Sequence, residues 1–352
     1  MNQSEKKNIM KVAAYRHFGS PEVVSLVELP KPSPGRDHVL VKVHASTVSA
    51  ADYRARSRNV PKGLGILAAF GLGIFRPHNP ILGMDVAGVV EAVGANVTTF
   101  KPGDEVIAML GAKFGGHAGY VCVPQKGAIT VKPRNMSFEE AVTLVFGGLT
   151  ALGFLNRAAL KPGGTILVNG ASGAVGTAAT QLAQHMGAHV TGVCSSANRE
   201  LVSSLGADRV IDYAEQDFTT EGRTYDVIID CVGNAPFERV EALINPGGTL
   251  LLVIADLKEI VRAAGRSRKS GKLVTAGNIK YTAEDLAFLV SLAESGRYKA
   301  VTDRTYRLSD IVEAHRYVET GRKTGNVVVQ IAAGSPGPDL ATVSAHPYTP
   351  SP

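Results

Sequence analysis

The residue types that could do chemistry are concentrated in one short stretch. Thr165-Ile-Leu-Val-Asn-Gly-Ala-Ser-Gly-Ala-Val-Gly176 runs an apolar segment into a glycine-rich turn and then into an alanine-rich stretch. The spacing is Ala171-x-Gly173-x-x-Gly176, with alanine where a dinucleotide fingerprint has its first glycine. Gly173 lets the backbone approach a pyrophosphate, and Gly176 lets a helix pack closely on its strand. The helix N-terminus adds free N–H groups and a positive dipole end. Such a turn can also be a plain connector. Here the pattern predicts a strand over 165–169 before it, a helix over 175–186 after it and a second strand over 189–194. That context points to a bound dinucleotide.

The end of the second strand reads Val193-Cys-Ser-Ser-Ala-Asn-Arg199. Sites that prefer NAD place Asp or Glu here to hold the ribose 2′-hydroxyl. No acid occurs between Gly176 and Glu200; two hydroxyls, Ser195 and Ser196, and the cation Arg199 stand there instead. A 2′-phosphate would meet no repelling carboxylate, so the expected cofactor is NADP. The plainer alternative for Arg199 is a solvated residue opening the next helix.

The elements that must position these residues form two patterns. Residues 10–133 carry short alternating runs separated by turn clusters such as Lys31-Pro-Ser-Pro-Gly35 and Lys101-Pro-Gly-Asp104, which predicts a partly antiparallel β domain. Ser137-Phe-Glu-Glu140 is a capping box, and beyond it apolar strands alternate with helices, as in a parallel sheet covered on both faces. Helices are predicted over 283–295 and 310–320, ending at Gly296 and Gly321, with strands near 305–308 and 327–331. The fold class is therefore α/β, with a dinucleotide-binding domain over 134–282. A β-rich domain spans 1–133 and is completed by 283–332. The Pro-, Ser- and Ala-rich tail over 333–352 is expected to be disordered.

Composition bounds the rest. The chain has 352 residues, enough for about two domains. Hydrophobic residues make up 45% and charged residues 19%, which excludes a wholly disordered or fibrous chain. The net charge is +6, yet the basic residues are scattered and tryptophan is absent, so nucleic-acid binding is not expected. The densest cluster, Arg262, Arg266, Arg268, Lys269 and Lys272, reads as a solvated face; the sharper alternative is attraction of a polyanion. Cys122, Cys194 and Cys231 lie far apart, which predicts a reducing, cytoplasmic setting. No apolar leader opens the sequence. The longest apolar run, 64–75, is too short to span a bilayer and is expected as a buried loop or helix near a pocket mouth, covering bulky apolar substrates.

The chain resembles the medium-chain dehydrogenase/reductase superfamily, in its zinc-free quinone-oxidoreductase-like (zeta-crystallin-like) branch. The resemblance covers about residues 10–332 and rests on Pro80-Ile-Leu-Gly-Met-Asp-Val-Ala-Gly-Val-Val-Glu91, Lys101-Pro-Gly-Asp-Glu-Val106, Asn169-Gly-Ala-Ser-Gly-Ala-Val-Gly176, Leu205-Gly-Ala-Asp208 and Asn245-Pro-Gly-Gly-Thr249. It implies a GroES-like domain, a Rossmann domain, a cleft between them and a homodimer. Where zinc-dependent relatives carry ligands, this chain has Ser49, Met84 and, near the last, Phe146, which cannot form the usual N/S tetrahedral site; no metal is expected.

The implied reaction is hydride transfer from NADPH to a quinone or an α,β-unsaturated carbonyl compound. Ser49, Asp52 and Tyr53 are the candidate catalytic groups, although many relatives have Asn where Ser49 stands. Met84, Phe114 and Phe146 are expected to line the substrate side. On the cofactor side the resemblance points to Thr150, Ser172, Gly173, Ala174, Val175, Ser195, Ser196, Arg199, Tyr213, Val232, Gly233, Val253, Ile254 and Asn326. Many relatives have Lys at the last of these. An NADP-dependent alcohol or ketone dehydrogenase and a non-catalytic NADPH-binding protein are the competing readings.

Overall fold

The structure, a computed structural model, describes residues 8–277 and 279–331. The tail over 333–352 lies outside them. The N-terminal domain begins with the antiparallel pair β1 (Ile9–Tyr15) and β2 (Val24–Pro30). Next come β3 (His38–Val48), helices α1 (Ala50–Ser57) and α2 (Gly65–Leu72), and strands β4 (Asp85–Val93), β5 (Glu105–Met109), β6 (Tyr120–Pro124) and β7 (Ala128–Val131). Alternation in β3 and β4 puts Val39, Val41, Val43, Val86 and Val90 into one buried cluster.

Two short helices, α3 (Phe138–Val142) and α4 (Phe146–Leu155), lead into the second domain. The 18 residues 138–155 are apolar and long enough to cross a membrane by composition, but 72% of the stretch is buried. It is a core segment. α3 packs on β3 and β4, so the β domain reaches a few residues past the boundary expected at 133.

The second domain holds β8 (Thr165–Asn169), α5 (Ala174–His185), β9 (His189–Cys194), α6 (Arg199–Ser204), β10 (Arg209–Asp212), β11 (Tyr225–Asp230), α7 (Phe237–Val240), β12 (Ile244–Leu252), α8 (Leu257–Ser270) and β13 (Leu273–Ala276). Its sheet is parallel, in the order β10-β9-β8-β11-β12-β13. Neighbouring residues on its strands point to opposite cores: Ile166 and Val168 join the cluster that holds Ala178 and Leu182 of α5, while Leu167 joins the one that holds Ala263 of α8. Both faces are therefore covered, as a doubly wound sheet requires. The order reverses between β8 and β11, and a ligand crevice forms at the carboxyl ends of the strands at such a switch point.

The chain then returns through α9 (Ala283–Glu294), β14 (Thr302–Arg307), α10 (Ile311–Glu319) and β15 (Asn326–Gln330). β15 pairs with β3, which completes the first domain's sheet from the far end of the chain. α9 packs on both β7 and α4, so it bridges the domains.

Candidate active site

A cleft of about 1420 Å³ runs along the switch point and is walled by both domains. Gly170, Ser172, Gly173, Ala174, Val175 and Gly176 form its floor. Gly173 is the N-cap of α5 and has no side chain to cap it, so the first-turn amides keep no side-chain acceptor. A methyl group at Gly176 would sit 2.0 Å from the Gly170 carbonyl oxygen, so only glycine permits this strand-to-helix approach. The Thr150 hydroxyl lines the same cleft, is buried and has no hydrogen-bond partner among the described residues. Uncapped amides and an orphaned hydroxyl are acceptor-seeking groups that a phosphate and a ribose would satisfy. The residues fit a dinucleotide.

Val232, Val253 and Ile254 also line the cleft. Their wall is fixed by buried Asp230, whose Oδ1 accepts from Asn169 Nδ2 (2.8 Å), Val232 N (3.0 Å) and Gly233 N (3.0 Å), and whose Oδ2 accepts from Ala235 N (2.9 Å). Gly233 thus serves the loop's shape and does not itself line the cleft. Cys194 and Cys231 line it too, but burial pushes the Cys194 thiol up to about 11 and the Cys231 thiol higher still. Neither is a ready nucleophile.

The adenosine end differs from expectation. Ser195, Asn198 and Tyr213 line the cleft, whereas Ser196 opens an exposed 3-10 turn. Arg199 lies in a separate shallow recess with Asp208 and Glu215, and its guanidinium stands 3.6 Å from the Glu215 carboxylate. The acid that engages it comes from the loop after β10, which the local sequence did not bring into view.

A different cation takes the position facing the cleft. Lys323 lines it and donates to the Gly325 carbonyl (2.6 Å), and no ion pair to it is found among the described residues. Burial lowers its amine to about 8. Its segment is stitched to the phosphate turn: Gly325 N donates to Ser172 O (2.7 Å), and Gly325 bridges Gly173. Thr324 Oγ1 donates to Asn198 Oδ1 (3.0 Å). Asn326, where many relatives have Lys, lines the cleft and donates to the Val301 carbonyl.

On the substrate side Ser49, Met84 and Phe146 meet in the cleft wall. Ser49 caps α1: its hydroxyl and N–H both donate to Asp52 Oδ2, while Asp52 N donates back to Ser49 Oγ. The other Asp52 oxygen accepts from Gly83 N (2.7 Å). Asp52 is fully buried and acts as a clasp between α1 and the segment carrying Met84. Tyr53 packs toward the β-domain core, and its hydroxyl accepts from Asn59 Nδ2; it does not line the cleft. Phe114 is core as well, against Tyr15 and Leu82. Of the three candidate catalytic groups, only Ser49 borders the cleft, and its proton is committed to Asp52.

The group on α1 that does face the cleft is Arg54, beside Ala50 and Ala51. Residues 50, 51 and 54 share one helical face, opposite the buried Asp52, Ala55 and Arg56. No hydrogen bond or ion pair to Arg54 is found among the described residues, and burial lowers its guanidinium from the ordinary value. Behind Met84, buried Asp85 accepts from Thr47 N (2.8 Å) and Thr47 Oγ1 (2.7 Å), and burial raises it to about 7. Among the described residues, no group of three or more His, Cys, Asp or Glu side chains could hold a metal ion.

Comparison with known proteins agrees with this architecture. Residues 35–133 match the alcohol dehydrogenase GroES-like domain, and residues 205–329 match a domain described as zinc-binding dehydrogenase. A chloroplastic quinone oxidoreductase of Triphysaria versicolor is 32% identical over 341 residues, covering 92% of this chain and 98% of that protein. An NADPH-dependent alkenal/one oxidoreductase of Arabidopsis thaliana is 32% identical over 337 residues, covering 91% of this chain and 79% of that protein. The solved quinone oxidoreductase of Coxiella burnetii superposes with a TM-score of 0.81 at 28% identity, covering 92% of this chain and all of that one. The chain is an oxidoreductase and belongs to the medium-chain dehydrogenase/reductase superfamily, in its quinone-oxidoreductase-like branch.

Proposed function

We propose that this protein transfers hydride from NADPH to a quinone or an α,β-unsaturated carbonyl compound, and does so without a metal. The observation that carries this reading is the convergence of Ser49, Met84 and Phe146 on the cleft that also holds the phosphate turn and the Thr150 hydroxyl. At the positions where zinc-dependent relatives carry ligands stand a committed hydroxyl, a thioether and a phenyl ring. That is an apolar wall for a flat conjugated substrate and a poor donor set for zinc.

Bound NADPH supplies the hydride. The protein's task is to hold the acceptor and meet the charge that follows. When hydride reaches a conjugated acceptor, negative charge develops on its oxygen. Arg54 is a donor on the substrate wall without a hydrogen-bond partner among the described residues, and we assign it to that oxygen. The final proton then comes from water. Homodimerisation, through the open edge of β13 where Leu273 is half-exposed, belongs to the same reading.

The preference for NADPH over NADH rests on the absence of a carboxylate at the end of β9 and on Lys323 from the returning segment. Lys323→Gln is expected to weaken NADPH binding by about tenfold, the worth of one charge-assisted contact, and to change NADH binding less. The lowered amine sets a sign for pH. Above about pH 8 free Lys323 loses its proton, so NADPH affinity falls as pH rises through that value, and the fall is absent in the variant. Fluorescence titration of both proteins with both cofactors reads all of this. Equal or tighter NADH binding by the parent protein would contradict the assignment.

A further inference from the structure

The apolar run over 64–75, expected as a buried cover, is exposed. Leu64 turns into the cleft, but α2 presents Ile66, Leu67 and Phe70 to solvent, and Ile74 and Phe75 follow; Phe75 is 88% exposed. No charged residue lies between Lys62 and Arg76, which flank the run and are both exposed. A soluble monomer rarely shows a contiguous patch of this kind unless something covers it.

A second element adjoins it. Leu257 N, at the start of α8, donates to Lys62 O (3.0 Å), and the Leu257 side chain packs against Gly63. Outward from α8 point Lys258, Val261, Arg262, Arg268 and Lys269. The helix's one acid, Glu259, is turned inward and paired with Arg266, so the outward face carries cations and no carboxylate. This resolves the basic cluster seen in the sequence. Arg266 is structural, bound to Glu259 and Glu238, and Lys272 donates to the Glu241 carbonyl, while the others remain outward. Both elements also border the cleft, through Pro61 and Leu64 on one side and Ala255 and Ile260 on the other.

We propose that α2 and the outer face of α8 form a docking surface for an anionic lipid bilayer, in the plane of which α2 lies. An all-apolar short helix between two cations, next to a basic helix face without acids, matches the chemistry of an interfacial anchor: side chains enter the acyl boundary and cations meet the headgroups. A second copy of the chain would bring the same cations against each other, which disfavours self-association through this patch. The surface is continuous with the cleft wall, so a lipid-dissolved acceptor passes from the bilayer toward Met84 and Phe146 without crossing water. That last step rests on the quinone or enone reading above; the docking itself does not.

The test is vesicle flotation of the full chain with phosphatidylcholine alone and with phosphatidylcholine containing phosphatidylglycerol. Alongside it, NADPH oxidation is followed with a water-soluble quinone and with a long-chain quinone held in the vesicles. The expected result is binding to the anionic vesicles that weakens with salt. Phe70→Ser with Phe75→Ser, and separately Arg262→Glu with Lys269→Glu, should each reduce the vesicle-bound fraction by about tenfold or more. Both pairs should leave the soluble-quinone rate unchanged and lower the vesicle-quinone rate. Failure of the parent protein to float with anionic vesicles overturns the proposal, as does binding indifferent to both variant pairs. Sedimentation showing that the phenylalanine pair dissolves a dimer also overturns it and makes the patch a contact between copies. Floating without reduction of either quinone supports docking and removes the quinone reading instead.

Discussion

Replacing Gly176 by alanine is expected to weaken NADPH binding by at least about a hundredfold, or about 2.7 kcal/mol. The added methyl would lie 2.0 Å from the Gly170 carbonyl oxygen and 2.8 Å from Ala171 Cα. Both contacts are to backbone, so no side chain can rotate away to relieve them. The first turn of α5 must shift, and the uncapped amides then no longer converge on one anion. The sheet strands do not depend on this contact, so far-UV circular dichroism should stay close to that of the parent while affinity collapses. NADPH titration of the folded variant checks this. Binding within threefold of the parent would show that the turn does not hold the phosphates.

Arg54→Met is expected to lower kcat for quinone or enone reduction by about a hundredfold, the cost seen when one donor to a developing oxyanion is removed. Methionine keeps much of the stem's packing on α1 and removes the charge. Cofactor affinity should stay within a few-fold, because the phosphate turn lies in the other domain. Arg54→Lys restores a cation with a different reach and should recover part of the rate. The split between an intact NADPH Kd and a reduced kcat separates this role from general loss of the cleft. An Arg54→Met enzyme with unchanged kcat would remove Arg54 from the reaction.

The phosphate turn was legible because its constraint is local. A strand, three small residues at fixed spacing and a helix lie within a dozen positions, and the sheet order then follows the pattern of alternation. Two of the helices missed, α1 and α8, have partly polar inner faces. α8 buries Glu259 and Arg266 beside Ala263, and α1 buries Asp52 and Arg56 beside Ala55, so part of each inner face is held by paired charges that local sequence reads as solvated. The neighbour of Arg199 was hidden for a related reason: Glu215, 3.6 Å from it, lies beyond an intervening strand, and proximity of that kind is not written in local spacing. Lys323 came to the site through β15 crossing back to β3, and only tertiary structure reveals that return. The run over 64–75 shows the converse error. Apolar composition suggests burial, but burial needs a covering element, and none among the described residues covers Ile66, Leu67, Phe70, Ile74 and Phe75.

The most direct test of hydride transfer to a conjugated acceptor without a metal is NADPH oxidation by chelator-treated protein, followed with a quinone and with an enone. Sustained consumption, with the product formed in equal amount and no gain on adding zinc, is the predicted result. A flat trace with both acceptors, or activity that disappears with chelator and returns with zinc, would contradict it.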